Sequence, residues 1–216
     1  MKPFIFTTRN NIHILDLEQT KKAMEKAAKF AAELSARGGT LLFVGTKRQG
    51  KEIVKKAAQA AGMPYVNVRW LGGTFTNFKT IQKTIRKLEK LEGLKASGEL
   101  HNHYTKKERL LVEREIEKLK KLFEGIQSMK KLPDAIFVTD VKHDAIAVKE
   151  AQKSKVKIIG LVDSNCSPEN LDYPIPCNDD ATKVIELMTS VISEAVREGK
   201  STMPVIKEVE KVAEIK

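Results

Sequence analysis

Short apolar runs alternate along the chain with longer segments whose apolar residues recur every three or four positions. The runs are bounded by Gly, Pro, Asp or Asn, and such runs are typical of the buried strands of a parallel sheet. They lie at Thr40–Val44, Tyr65–Val68, Ala135–Val138, Lys157–Val162 and, more weakly, Tyr173–Pro176. Helices are predicted near residues 18–36, 49–61, 143–153 and 179–197. This alternation of strands and helices predicts a three-layer α/β domain with right-handed crossovers.

Residues 79–131 interrupt the alternation with two segments that carry apolar seams. The seam residues are Phe78, Ile81, Ile85 and Leu88, then Val112, Ile116, Leu119, Phe123 and Ile126. Spacings of three and four residues are typical of coiled coils, and the glycines between the segments favour a reversal of the chain. We therefore expect an α/β domain at 1–78 and 132–197, an inserted antiparallel coiled-coil helical hairpin at 79–131, and a flexible tail at 198–216.

The charge of the chain points to a polyanionic partner. Lys and Arg number 39 against 28 Asp and Glu among 216 residues, which gives a formal net charge of +11. Residues 79–131 contain 15 Lys or Arg against 8 Glu, a surplus of 7 positive charges. Ion pairs on a solvated helix explain charges of both signs, but not a surplus of one sign. Nucleic acid is the leading candidate partner.

The apolar runs and the cysteines indicate the cellular compartment of the protein. No apolar run approaches the length that a bilayer requires, and the start MKPFIFTTRNN lacks the apolar stretch of a signal peptide. The two cysteines, Cys166 and Cys177, form no CxxC pair and fit a reducing compartment. We expect a cytoplasmic protein with no membrane partner.

The stretch Gly45–Glu52, GTKRQGKE, resembles a phosphate-binding loop up to its last position. It follows a predicted strand and opens a predicted helix, but Glu52 replaces the Ser or Thr that helps to hold magnesium. This difference favours a structural turn or an RNA-backbone contact over nucleotide hydrolysis. Lys47, Arg48 and Lys51 at a helix N-terminus suit a phosphate in either case. A nucleotide-binding enzyme at Gly45–Lys51 is the alternative function.

Candidate metal ligands are few. Asp163, Asp179 and Asp180 follow or precede strand ends and offer the oxygen ligands that magnesium prefers, although helix capping is the competing role. His101 and His103 form an HxH without a nearby cysteine, and no GxSxG nucleophile motif occurs. We expect no catalytic residues and no cofactor beyond a structural magnesium ion.

The stretch VRWLGGTFTNFK, residues 68–79, gathers three aromatic residues, an Arg and a Lys around a glycine pair. In one interpretation the aromatics fill the joint between the sheet and the hairpin, and Thr74 caps the next helix. In the other, Arg69, Thr76, Asn77 and Lys79 contact a phosphate backbone while an aromatic ring stacks on a base. The two interpretations are compatible.

At these residues the chain resembles a known family. VNVRWLGGTFTNFKTIQKTI is similar to the signature of bacterial small-subunit ribosomal protein number two, the universal S-two family. LLFVGTKRQGKE, LPDAIFVTD and IIGLVDSNCSPENLDYPIPCNDDA resemble its other signatures in the same order, over residues 2–198. Family members usually carry a segment before the position of Met1; either this protein lacks it or the sequence begins after it.

The resemblance implies a flavodoxin-like parallel sheet with a projecting coiled-coil hairpin. It also implies a non-enzymatic constituent of the small ribosomal subunit that contacts small-subunit rRNA and other ribosomal proteins, including the mRNA-binding protein S-one. The family motifs place Lys47, Arg48, Arg69, Trp70, Thr74 and Asn77 near rRNA. With the basic side chains beside them, the candidate RNA-binding residues are Lys47, Arg48, Lys51, Arg69, Trp70, Thr74, Asn77, Lys79, Lys83 and Arg86.

Overall fold

The computed structural model describes residues 1–10, 12–98, 100 and 104–214, which form seven strands and six α-helices. The strands are β1 Ile5–Arg9, β2 Ile12–Leu15, β3 Leu41–Val44, β4 Tyr65–Val66, β5 Ala135–Val138, β6 Lys157–Val162 and β7 Tyr173–Pro176. The helices are α1 Leu17–Ala36, α2 Lys51–Ala61, α3 Phe78–Ala96, α4 Lys106–Phe123, α5 Ala145–Lys153 and α6 Thr182–Glu214. His101 and His103 lie outside the described residues.

Five strands form one parallel sheet in the order β4-β3-β5-β6-β7. Phe43 of β3 pairs with Tyr65 and with Phe137, and Phe137 pairs in turn with Ile159. Numbered from β3, this order is 2-1-3-4-5, the order of flavodoxin-like sheets. The predicted parallel sheet and its α/β class are confirmed, although β4 is shorter than the predicted run.

Helices cover both faces of this sheet, because alternate strand residues point to opposite sides. Leu41 and Phe43 lie in an apolar cluster with residues of α1, α2 and α6. Leu42 and Val44 lie in a second cluster with residues of α3, α4 and α5. All four of these β3 residues are completely buried, so the sheet is a rigid base from which the loops at its edge are positioned.

A two-stranded antiparallel sheet of β1 and β2 precedes α1 and was not predicted. Its apolar side chains are largely exposed, as Phe6 and Ile12 show, so the strands lack the buried runs that marked the others. The pair is attached to α1 by the amide of Asp16, which donates to the carbonyl of Phe4. Gln19 adds a side-chain bond to the carbonyl of Pro3.

Helices α3 and α4 carry the predicted apolar seams. Ile85 and Leu88 of α3 and Ile116 and Phe123 of α4 are buried in the cluster on one face of the sheet. Ion pairs also join the two helices. They are Lys87–Glu115, Lys95–Glu113 and Lys120–Glu92. The description of this segment as a coiled-coil hairpin stays a prediction.

The ends of two helices differ from the expectation. Thr74 does not cap α3, because its hydroxyl donates to the carbonyl of Leu71 and Asn77 occupies the N-cap position. Helix α6 begins at Thr182, after Asp179 and Asp180, and continues to Glu214 rather than ending at 197. The division of the chain into domains and a flexible tail is a prediction that the secondary structure does not test.

Two glycines provide a matched test of the helix packing. A Cβ atom on Gly199 of α6 would lie 2.1 Å from the carbonyl oxygen of Ala32 in α1, whereas one on Gly93 of α3 would meet no atom within 4 Å. We expect Gly199→Ala to lower the free energy of unfolding by about 1–3 kcal/mol through overpacking. Gly93→Ala should raise it by about 0.5–1 kcal/mol, because alanine favours the helix. Urea unfolding measures both, and equal effects of the two substitutions would contradict this helix contact.

Candidate nucleic-acid interface

Lys47, in the loop between β3 and α2, lies inside a cluster of carboxylates. Its ammonium group is 2.8 Å from Asp140 Oδ2, 3.0 Å from Asp179 Oδ1 and 2.7 Å from Asp180 Oδ1. Only 19% of the Lys47 side chain is exposed. Burial opposes its charge, but the bonds to the three carboxylates outweigh burial and raise the pKa of Lys47 above its ordinary value. The sequence pointed this side chain at a phosphate, whereas the structure directs it into the protein.

The rest of this loop is also fixed by protein groups. The buried carboxylate of Asp144 accepts bonds from the Thr46 amide at 3.2 Å and the Thr46 hydroxyl at 2.7 Å. Burial raises the pKa of Asp144. A Cβ atom on Gly45 would lie 2.5 Å from Val54 Cγ2, so the loop packs directly against α2. The loop is a structural turn braced by acids, and acids at this position disfavour a nucleotide phosphate.

The three candidate metal ligands do lie close together. One carboxylate oxygen from each of Asp163, Asp179 and Asp180 falls within 4.8 Å of the others. However, Asp179 and Asp180 both contact the Lys47 ammonium, which already supplies a positive charge to the cluster. In the turn before α6 it is Asn178 Oδ1 that accepts hydrogen bonds from the amides of Asp180 and Ala181. The three aspartates do not require a divalent ion, and magnesium gains no support from them.

The aromatic residues of the loop before α3 fill the joint between sheet and helix. Trp70 is 6% exposed, and its ring meets the ring of Phe75 edge to face, with centroids 4.9 Å apart. Phe75 is 3% exposed and Thr74 is buried with it. Neither ring presents a free face to a base, so the structure favours the first interpretation of the aromatics.

The residue that holds this loop is Glu150, which no sequence pattern had identified. Its carboxylate accepts bonds from the amides of Gly73 at 2.6 Å, Phe75 at 2.9 Å and Thr76 at 3.2 Å. The Trp70 indole nitrogen and the Thr76 hydroxyl also donate to it, at 3.4 and 3.3 Å. Burial tends to raise the pKa of Glu150, but these bonds outweigh burial and lower it. A single acid in the middle of a helix has no sequence signature, since only the fold brings it to its donors.

The remaining candidate residues point outward. Arg69 and Asn77 are exposed at the two ends of the loop, Arg48 is exposed, and Lys51 is half-exposed at the start of α2. Lys79, Lys83, Arg86 and Lys90 of α3 are also exposed. Among the described residues none of these four α3 cations has an ion-pair partner. We call these four residues the α3 stripe, because spacings of four, three and four residues place them on one side of the helix.

Within the residues that the structure describes, no helix combines the length and the apolar character needed to cross a membrane.

Comparison with known proteins gives a consistent match. The family model of Ribosomal protein S2 matches residues 1–199. The small ribosomal subunit protein uS2 of Acidothermus cellulolyticus is 48% identical to the chain over 199 residues. That alignment covers 92% of this chain and 72% of the relative.

Proposed function

Because this chain belongs to the ribosomal protein S2 family, we propose that it binds small-subunit rRNA through exposed cations of helix α3 and polar residues of the segments that lead into α2 and α3. Its role is that of a structural constituent of the small ribosomal subunit in translation, and it is not an enzyme. The alternative of a nucleotide-binding enzyme at Gly45–Lys51 has no support, since the Lys47 ammonium is bonded to acids.

The α3 stripe is the observation that carries this proposal. Lys79, Lys83, Arg86 and Lys90 span three turns of α3, about 16 Å at 1.5 Å per residue, and all four are exposed. A line of unpaired cations of this kind fits successive phosphates of one RNA strand, which supply affinity without base specificity. Arg69 and Asn77 lie just before the stripe in sequence and extend it toward the sheet.

The interface that we propose is smaller than the sequence suggested. Three candidates from the sequence have side chains that are bonded or buried within the protein, and they stabilise the loops rather than face RNA: Lys47, Trp70 and Thr74. The RNA-facing set is therefore Arg48, Lys51, Arg69, Asn77, Lys79, Lys83, Arg86 and Lys90. RNA recognised in this way is read by the shape of its backbone.

We infer that α3 and α4 form the predicted antiparallel coiled-coil hairpin, as an insert at 79–131 between the two parts of the α/β domain. Gln82, near the start of α3, donates to the carbonyl of Lys130 after α4, and Lys95, near the end of α3, pairs with Glu113 in the first half of α4. Such contacts pair the helices in opposite directions. The hairpin presents the α3 stripe on its outer side.

We also propose contacts with other small-subunit proteins, including the mRNA-binding protein S-one, and a cytoplasmic location in the small ribosomal subunit. Tyr104, Leu110 and Leu111 are exposed around the start of α4, and an apolar group at this place suits a protein partner. Replacing Leu110 and Leu111 by Ser should reduce the amount of S-one retained on purified small subunits, while rRNA affinity stays unchanged. A joint loss of S-one and rRNA would contradict this separation.

The salt dependence of rRNA binding tests the main proposal. We expect the affinity of the full chain for small-subunit rRNA to fall steeply as salt rises, because phosphate contacts release counterions. The logarithm of the association constant should fall linearly with the logarithm of the salt concentration, by about 0.7–0.9 per phosphate contact. A salt-independent affinity would overturn the proposal.

A further inference from the structure

Every amide from Gly73 to Asn77 donates a hydrogen bond inside the protein. The amides of Gly73, Phe75 and Thr76 donate to Glu150. The amide of Thr74 donates to the carbonyl of Leu71 at 3.1 Å, and that of Asn77 to the carbonyl of Gly73 at 2.8 Å. Backbone amides that converge around one point form a concave anion site, which in many proteins holds a phosphate. Here the anion is the carboxylate of Glu150.

Glu150 is well placed to fix the loop. It lies in α5, which is anchored by Ala147 and Ala151, both completely buried against the sheet. Glu150 itself is 7% exposed, and Gly73 adopts φ +89, a left-handed conformation that glycine accepts without strain. The loop backbone is thereby tied to a rigid helix on the core side.

We propose that Glu150 is a positioning residue for RNA binding: its carboxylate occupies the place of a phosphate among the loop amides and fixes Arg69 and Asn77 toward the RNA. This inference rests on the proposed function of the loop. RNA is then contacted by the side chains at the two ends of the loop and not by its backbone amides. A loop released from Glu150 loses this fixed orientation, and Arg69 then loses much of its contribution to affinity.

A double-mutant cycle tests the proposal with small-subunit rRNA as the probe. Glu150→Gln keeps the size of the side chain but replaces one acceptor oxygen with a donor that faces other donors. We expect this variant to bind rRNA about tenfold more weakly, within the range of coupling seen between residues of one hydrogen-bond network. In that background Arg69→Ala should have a much smaller effect than in the wild type.

Arg48→Ala is the matched control. Arg48 is an exposed arginine on the loop between β3 and α2. Among the described residues Glu150 forms its hydrogen bonds with the loop before α3 and not with this loop, so the effect of Arg48→Ala should be the same in both backgrounds. Equal effects of Arg69→Ala in both backgrounds would overturn the positioning role and leave the proposed function intact. If neither arginine affects rRNA binding in the wild type, the loops are not part of the interface, and the positioning role fails while the α3 stripe stays to be tested by itself.

Trp70 gives a spectroscopic readout that a purely global loss of stability would not move. It is the only tryptophan in the chain, and its indole nitrogen donates to Glu150. Under conditions where circular dichroism shows a folded protein, Glu150→Gln should increase quenching of Trp70 fluorescence by acrylamide; unchanged quenching would contradict a released loop. If Glu150→Gln does not fold, Glu150→Asp, which keeps the charge on a shorter side chain, takes its place in the same cycle.

Discussion

Replacing Lys47 with methionine is expected to lower the free energy of unfolding by about 2–3 kcal/mol, because it leaves buried carboxylates without their counterion. Methionine is of similar length and apolar character, but it lacks the ammonium group with its charge and its N–H donors. Breaking a fully buried ion pair costs about 3–5 kcal/mol. We expect less for Lys47→Met because one of its partners, Asp180, has a side chain that is 67% exposed and screened by water. The control is Lys51→Met, at the start of α2, where we expect less than about 0.5 kcal/mol.

The loss caused by Lys47→Met should depend on pH in a defined direction. In the wild type the raised pKa of Lys47 means that its contribution is complete below the ordinary lysine pKa of 10.5 and is lost as pH rises through the higher folded-state value. Burial already raises the pKa of Asp179 in the wild type, and the Lys47 ammonium opposes that rise. Without the ammonium, the carboxylates of Asp140 and Asp179 repel each other and the pKa of Asp179 rises further. Protonation of the carboxylates removes their repulsion in the variant. The difference in free energy of unfolding between variant and wild type should therefore shrink as pH falls toward about 4.

Urea unfolding of the two variants between pH 4 and pH 8 measures this difference. A constant difference across that range would contradict the role of Lys47 as counterion. If the wild type bound ATP in a magnesium-dependent way and Lys51→Met did not, that result would support the nucleotide-binding alternative.

Neutralising the α3 stripe should have the largest effect on rRNA binding. We expect the quadruple variant, in which Gln replaces all four residues of the α3 stripe, to bind rRNA roughly 100-fold or more weakly at moderate salt. With each phosphate contact that is lost, fewer counterions are released on binding. The slope of log affinity against log salt should become shallower by about 3 to 3.5. Filter binding of the full chain over a salt series measures both quantities.

Helix α1 supplies the matched control for this experiment. This helix packs on the opposite face of the sheet and carries four exposed lysines, Lys21, Lys22, Lys26 and Lys29. Replacing all four by Gln removes the same number of charges as the change in the α3 stripe. If binding depends only on net charge, both fourfold variants will weaken it equally, and that result would contradict a defined interface. We expect the α1 variant to bind within about threefold of the wild type, the effect of a distant charge at moderate salt.

The parallel sheet was predictable because its strands are buried on both faces. Leu41–Val44 and Ala135–Val138 are apolar throughout and end at turn residues, so the sequence marks them without tertiary information. The β1–β2 pair was missed for the opposite reason. Its residues are mostly exposed, and neither alternation nor a continuous apolar run identifies it.

The candidate site was less predictable because its key contacts join distant parts of the chain. Lys47 meets Asp140 and Asp179, which lie 93 and 132 positions away, and Glu150 meets Gly73 at a separation of 77. A lysine that binds a phosphate and one that neutralises internal acids have the same local sequence. Three of the four exposed α3 cations, Lys79, Lys83 and Arg86, were among the candidates from the sequence. Lys90 was missed, although helical spacing places it on the same side of the helix.

Photo-cross-linking in assembled small subunits tests the central claim most directly. A photoreactive amino acid would replace Lys83 in the α3 stripe or, as control, Lys26 in α1. We predict that position 83 cross-links to small-subunit rRNA and that position 26 does not. Cross-links from position 83 to protein alone, or equal RNA cross-links from both positions, would contradict an rRNA interface along α3.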